Sequence, residues 1–128
     1  NIEKKELNSA VSSWLLSSNV NKIQINRRIL NETNISKVLV LTACPSFIAV
    51  PFIKKRVKEV DLIFSTSLII SNGKYNGKVK YKIIGDQKEK IVLKIKKTNA
   101  DNYLIGYGNS NLDMDFLMRC NSYDLISW

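Results

Sequence analysis

The chain has 128 residues, of which 45% are hydrophobic and 9% aromatic, enough for one domain with a real core. It contains no histidine, which excludes Ser-His-Asp and Cys-His catalysis, and its two cysteines form no C-x-x-C pair, which argues against a zinc site. The net charge of +9 suggests an anionic partner, but no arginine cluster with interleaved aromatic residues occurs, so nucleic acid is not expected.

The first third of the sequence predicts two helices and then a buried strand. Apolar stripes mark residues 3–18 and 22–33 as helical. Residues 37–42 contain a continuous Val and Leu run at 38–41, which is typical of a strand buried on both faces in a parallel sheet. That strand is expected to end at Thr42.

A helix is predicted directly after this strand. Pro45 and Ser46 suit a helix entry, and the helix is expected to continue through Pro51 to about residue 58. Thr42 would then lie at a helix N-terminus, where an anion can bind. The alternative is that its hydroxyl only satisfies local backbone.

The middle of the chain predicts a short strand at 60–66 and a hairpin at 67–82, because two Asn-Gly pairs occur at 72–73 and 76–77. Lysines 78, 80 and 82 alternate with apolar residues, which favours a solvated strand face over a binding patch. A helix is predicted at about 87–97.

The stretch at 103–117 begins as an apolar run, breaks into Gly-Asn-Ser-Asn and resumes with helical spacing. Asp113 and Asp115 fall in the first turn of that helix. An amide and a carboxylate oxygen a few residues apart suit a hard cation. The alternative is a capped helix start with solvated acids. A last strand is predicted at 123–128.

Strands separated by helices predict an α/β fold: a three-layer, Rossmann-like parallel sheet with a β-hairpin. The most apolar stretch, 38–53, holds two prolines and is too short to span a membrane. The two cysteines fit free thiols in the cytoplasm. The chain starts without Met, as though something upstream had been removed.

Four segments together resemble the haloacid dehalogenase-like (HAD-like) hydrolases, in the branch of phosphoserine phosphatase. Val-Leu-Val-Leu-Thr-Ala-Cys-Pro at 38–45 resembles the second motif, and Phe64-Ser-Thr with the Asn-Gly segment that follows resembles the hairpin after it. Gly-Asp-Gln-Lys-Glu-Lys-Ile at 85–91 looks like the third motif, and 107–117 looks like the fourth.

The resemblance implies a Mg²⁺-dependent phosphatase acting on a phosphorylated small molecule. It gives phosphate-binding roles to Thr42, with Ala43 beside it, and to Lys90, with Lys88 as the second choice. Asn109 would ligate Mg²⁺ and also contact substrate, and Asp113 would bind or orient the metal and its waters.

The sequence departs from the family in one large respect: no apolar strand carrying Asp-x-Asp, the nucleophile and the general acid/base, is present. The resemblance therefore implies a HAD-like core at 36–128 that lacks its first strand, with 1–35 as the remnant of a helical cap and its connecting helix. We expect a truncated phosphatase that is inactive alone.

In this fold the missing strand would lie between the strands ending at Thr42 and at Tyr107, so we expect another segment, a homodimer partner or direct pairing of these two strands to fill its place. Two other functions remain open. One is a non-enzymatic module on a degenerate phosphatase scaffold, using the charges of Lys54–Lys58 and Lys94–Lys97 for an acidic partner. The other is a small basic nucleic-acid-binding protein.

Overall fold

The computed structural model describes residues 2–17, 37–57, 60–98, 101 and 103–126. The chain forms two compact units, Asn1–Ile83 and Ile84–Trp128. The predicted helix at 22–33 and the predicted boundary at residue 35 lie outside the described residues.

The first unit is a mixed sheet with two described helices. Its elements are β1 (Ile2–Glu3), α1 (Lys4–Leu16), β2 (Leu39–Pro45), α2 (Ser46–Arg56), β3 (Leu62–Ser71) and β4 (Lys74–Tyr81). The strand order is β1-β4-β3-β2. Only β2 and β3 are parallel, while β4 runs antiparallel to both β3 and β1. The sheet is therefore mixed, not parallel throughout.

Strand β3 explains this mixture. The sequence predicts a short strand and then a separate hairpin strand, but β3 is one strand of 10 residues. Its first half pairs with β2 as far as Thr66, and its second half, from Ser67, pairs with β4. A single strand thus joins the parallel and antiparallel parts of the sheet.

The junction between β2 and α2 differs slightly from the prediction. The strand runs on to Pro45 through a register shift after Thr42, and Pro45 is the N-cap of α2. The helix continues through Pro51, as predicted.

The first Asn-Gly pair forms the hairpin turn. Asn72 and Gly73 have φ angles of 51° and 76°, the left-handed values that a type I′ turn needs at both central positions. The second pair lies inside β4 instead, where Asn76 Oδ1 accepts a hydrogen bond from the backbone N–H of Lys78 at 2.9 Å. The side chains of lysines 78, 80 and 82 are exposed, as expected for a solvated face.

The second unit contains α3 (Gly85–Thr98), β5 (Ile105–Gly108), a 3-10 turn (Asn111–Asp113), α4 (Met114–Leu117) and β6 (Ser122–Leu125). Strands β5 and β6 form a parallel two-stranded sheet. Its core contains Val92, Phe116 and the fully buried Leu117.

The predicted α/β class is confirmed. Strands β2 and β5 belong to different sheets, so direct pairing between them is not observed. Among the helices that the structure describes, none is long and apolar enough to cross a membrane.

Candidate functional site

The second unit buries a charged pair at the carboxyl end of β5. Lys88 Nζ donates to Asp113 Oδ1 at 2.9 Å, and the side chains are only 15% and 11% exposed. The other carboxylate oxygen, Asp113 Oδ2, accepts the backbone N–H of Asn109 at 3.2 Å. Both oxygens of Asp113 are therefore engaged, one by a cation and one by the turn that follows β5.

Two glycines of β5 make this arrangement possible. A Cβ at Gly108 would lie 2.8 Å from Asp113 Cβ and 2.9 Å from Leu117 Cδ1. A Cβ at Gly106 would lie 2.8 Å from Cys120 Sγ. Because real Cβ atoms do not approach this closely, only glycine lets the 3-10 turn and α4 pack against the strand. That packing fixes Asp113 beside the end of β5.

The hydroxyl of Ser110 caps the 3-10 turn by accepting the backbone N–H of Leu112 at 3.3 Å. The acidic turn is thus a capped helix start, as one sequence interpretation held. However, its acids are not both solvated: Asp113 is buried, whereas Asp115 is exposed. The Asp-x-Asp at 113–115 does not present two carboxylates to one site.

Lys88, the second choice from the sequence, is the lysine that reaches Asp113. Its ammonium also lies 5.7 Å from the centroid of the Phe116 ring, within cation–π range. Lys90 instead is 67% exposed and lies 3.9 Å from Asp86. Residues two apart on a helix point in directions about 200° apart, so only one of these lysines can face the acidic turn.

The donor set for a cation is small. Asn109, whose backbone N–H contacts Asp113, is exposed. Within the described ranges, no group of three or more His, Cys, Asp or Glu residues could hold a metal ion. A cation here could use the Asn109 side-chain oxygen directly, while Asp113 is better placed to orient Lys88 and metal-bound water.

Thr42 lies in the first unit, inside β2 and three residues before the strand ends at Pro45, so it is not at the helix N-terminus that the sequence predicted for it. Its Oγ1 accepts the backbone N–H of Cys44 at 3.1 Å, so the hydroxyl does satisfy local backbone. The same hydroxyl has a proton to donate, which is compatible with an oxyanion as acceptor. Ala43 beside it is exposed.

Sequence reasoning missed a hydroxyl cluster near Thr42. Ser46 Oγ lies 2.6 Å from Ser65 Oγ and donates to the carbonyl of Thr66 at 3.1 Å. The buried Thr66 hydroxyl accepts the backbone N–H of Ile83. The sequence signals for these residues were the Pro45-Ser46 helix entry and the Phe64-Ser-Thr segment at the end of a predicted strand, but neither showed that the hydroxyls would meet.

Neither cysteine is an activated nucleophile. Burial raises the pKa of the Cys44 thiol. Burial also raises the pKa of Cys120, although the nearby positive charge of Lys96 partly opposes this. A raised pKa keeps both thiols protonated near neutral pH, and both are free.

No protein-family model and no curated protein matches the chain. Solved structures do match it, and two of them are the following. One is a probable phosphoserine phosphatase from Vibrio cholerae in unliganded form, with a TM-score of 0.56 and 18% identity. The other is a protein of unknown function from Bordetella pertussis Tohama I, with a TM-score of 0.69 and 15% identity.

The likeness covers 68% of this chain for the Vibrio protein and 94% for the Bordetella protein. The chain spans only 27% and 57% of the length of those two structures. At these identities the comparison shows the fold alone: an α/β scaffold shared with parts of both structures.

Proposed function

We propose that this chain carries the Mg²⁺- and phosphate-binding part of a HAD-like phosphomonoester phosphatase. The observation that supports this most is the buried Lys88–Asp113 pair beside Asn109 at the end of β5. A fixed ammonium held in a poorly solvated place is well suited to neutralise a phosphoryl group, and phosphoryl transfer depends mainly on such positioning and charge.

Within this proposal, Lys88 takes the phosphate-binding role that the sequence first gave to Lys90, because Lys90 is exposed and directed to Asp86. Asp113 orients Lys88. Asn109 offers its side-chain oxygen to Mg²⁺, which keeps several waters and needs few protein ligands. Bound Mg²⁺ would neutralise phosphate charge. Thr42 and Ala43 keep their predicted role toward a phosphate oxygen.

The proposal also covers the absent nucleophile. No apolar strand ending in Asp-x-Asp occurs in the 128 residues, so we propose that the chain alone does not turn over a phosphomonoester. In the described parts of the chain, β2 pairs only with β3 and β5 only with β6, which leaves each a strand edge. A partner segment or second copy is proposed to pair there. The free thiols agree with a cytoplasmic location.

Titration of the chain with inorganic phosphate in the presence of Mg²⁺ tests the proposal, with chemical shifts as the readout. We expect Lys88→Gln to weaken phosphate binding at least about tenfold, since one charge-assisted contact is worth about 1.5–3 kcal/mol. The matched variant Lys90→Gln should bind like the wild type. Equal losses in both variants, or no phosphate binding by the wild type, would overturn the assignment.

The second candidate is a non-enzymatic binding module on the same scaffold. Asn109 favours it, because a neutral amide stands where a carboxylate would bind a cation more strongly. If Asn109→Asp does not tighten Mg²⁺ binding in the same titration, Asn109 is not a metal ligand, and the non-enzymatic binding module is favoured.

A further inference from the structure

The first unit contains a groove of about 510 Å³, within the range of small-molecule sites. Strand β3 is longer than β2: its pairing with β2 ends at Thr66, and it continues to Ser71. The groove lies along this extension, past the carboxyl end of β2. Its walls come from the first turns of α2 and from the hairpin, with Phe47, Val50, Ile70 and Tyr75 among the apolar residues, and from α1, which adds the polar Asn8 and Ser12.

The residues that line the groove are mainly apolar, and the charged residue among them is a lysine. The rings of Phe47 and Tyr75 pack with centroids 5.6 Å apart. Lys4 of α1 lines the groove, whereas no acid does so among the described residues. The N-terminus of α2 adds a partial positive charge at Ser46. This lining fits a ligand with an apolar or aromatic body and an anionic end.

One hydrogen bond and one strand pairing connect the wall of the groove to Thr42, the residue proposed to hold a phosphate oxygen. Ser46, at one end of the groove, is hydrogen-bonded to Ser65 through their hydroxyls. Ser65 is the direct partner of Thr42 in the β2–β3 ladder. One hydrogen bond therefore separates the groove wall from the residue beside Thr42.

Because the groove wall is connected to Thr42 in this way, we propose that the groove receives the alcohol part of the phosphomonoester. The substrates would then be esters of an aromatic or otherwise apolar alcohol. The inference rests on the phosphate-binding role proposed for Thr42. A small, polar ester such as phosphoserine would leave the rings of Phe47 and Tyr75 uncovered.

The test compares three ligands on the full chain with Mg²⁺ present: inorganic phosphate, phosphoserine and phenyl phosphate. We expect phenyl phosphate to bind about tenfold more tightly than the other two. Phe47→Ala should remove this advantage and leave inorganic phosphate unchanged. Phe52→Ala is the matched control, because Phe52 is on the same helix but stacks on Trp14, away from the groove.

A second pair of variants avoids the core. Ile70 and Val79 are 43% and 46% exposed, and only Ile70 lines the groove. We expect Ile70→Glu to abolish the preference for phenyl phosphate by placing a carboxylate in the groove, and Val79→Glu to retain it. If inorganic phosphate binds but phenyl phosphate binds no better, the groove assignment is wrong while the phosphate site stands. If inorganic phosphate does not bind, the proposed function itself fails.

Discussion

Lys88 and Asp113 depend on each other for their burial. A buried charge left without its partner costs about 3–5 kcal/mol, whereas replacing both partners by apolar residues is often neutral. We therefore expect Lys88→Met and Asp113→Leu each to lower the free energy of unfolding by about 3 kcal/mol. The double variant should recover most of that loss, as measured by urea unfolding.

Lys90→Met provides the control for this cycle. Its ion pair with Asp86 is solvent-exposed, and exposed pairs contribute about 0–1 kcal/mol. Additive losses in the double variant would contradict a direct interaction between Lys88 and Asp113.

Asp113 of the 3-10 turn and Asp115 of α4 should differ in their effect on metal binding. Asp113 orients the residues at the proposed Mg²⁺ position. Removal of a residue that holds metal ligands in place typically costs roughly 10–100-fold in metal affinity. Asp113→Ala should weaken Mg²⁺ binding roughly 10–100-fold in calorimetric titration, while Asp115→Ala, at an exposed position, should leave it unchanged. Equal loss in both variants would show that the turn attracts cations only through its total charge.

At the scale of elements, α4 and the 3-10 turn pack on two glycines of β5, and substitutions at these glycines should distinguish effects on stability from effects on ligand binding. Gly106→Ala and Gly108→Ala both insert a methyl group into a close contact, for which overpacking costs about 1–3 kcal/mol. In both variants the new atom meets Leu117; at Gly106 it also meets Cys120, whereas at Gly108 it also meets Asp113.

We therefore expect similar losses in the free energy of unfolding for these two variants, but different effects on the site. Only Gly108→Ala should weaken phosphate and Mg²⁺ binding, because only it displaces Asp113. Comparison of thermal unfolding with the phosphate titration checks this. A Gly106→Ala variant that stays folded and loses phosphate binding would contradict the local role of Gly108.

Local sequence patterns predicted most of the described elements, since capping residues, apolar periodicity and Asn-Gly pairs act over a few residues. Tertiary pairing decided the rest. The joining of two predicted strands into β3 depends on both β2 and β4, and no local signal carries that information. The choice between Lys88 and Lys90 depends on which face of α3 meets the acidic turn, which spacing alone does not give.

At the scale of the whole molecule, the strands that the structure describes leave an unpaired edge in each unit, since β2 pairs only with β3 and β5 only with β6. A two-stranded sheet has at best marginal stability on its own. In the β5–β6 sheet the exposed fractions of Ile105, Tyr123 and Leu125 are 47%, 47% and 43%. Leu39 on β2 is 36% exposed. Exposed apolar residues on strands with a bare edge favour the addition of a further strand.

The last prediction is that an added strand supplies both the strand pairing and the catalytic carboxylates. The chain alone should not hydrolyse phenyl phosphate, because its 128 residues offer no carboxylate nucleophile at the end of an apolar strand. A synthetic peptide with an apolar run ending in Asp-x-Asp should restore Mg²⁺-dependent release of phosphate. The matched peptide with the first Asp replaced by Asn should bind without turnover, since the amide cannot form an acyl-phosphate. If both peptides bind and neither restores activity, the scaffold is a binding module; if the chain is active alone, its nucleophile lies within these residues and the assignment of roles at Asp113 must change.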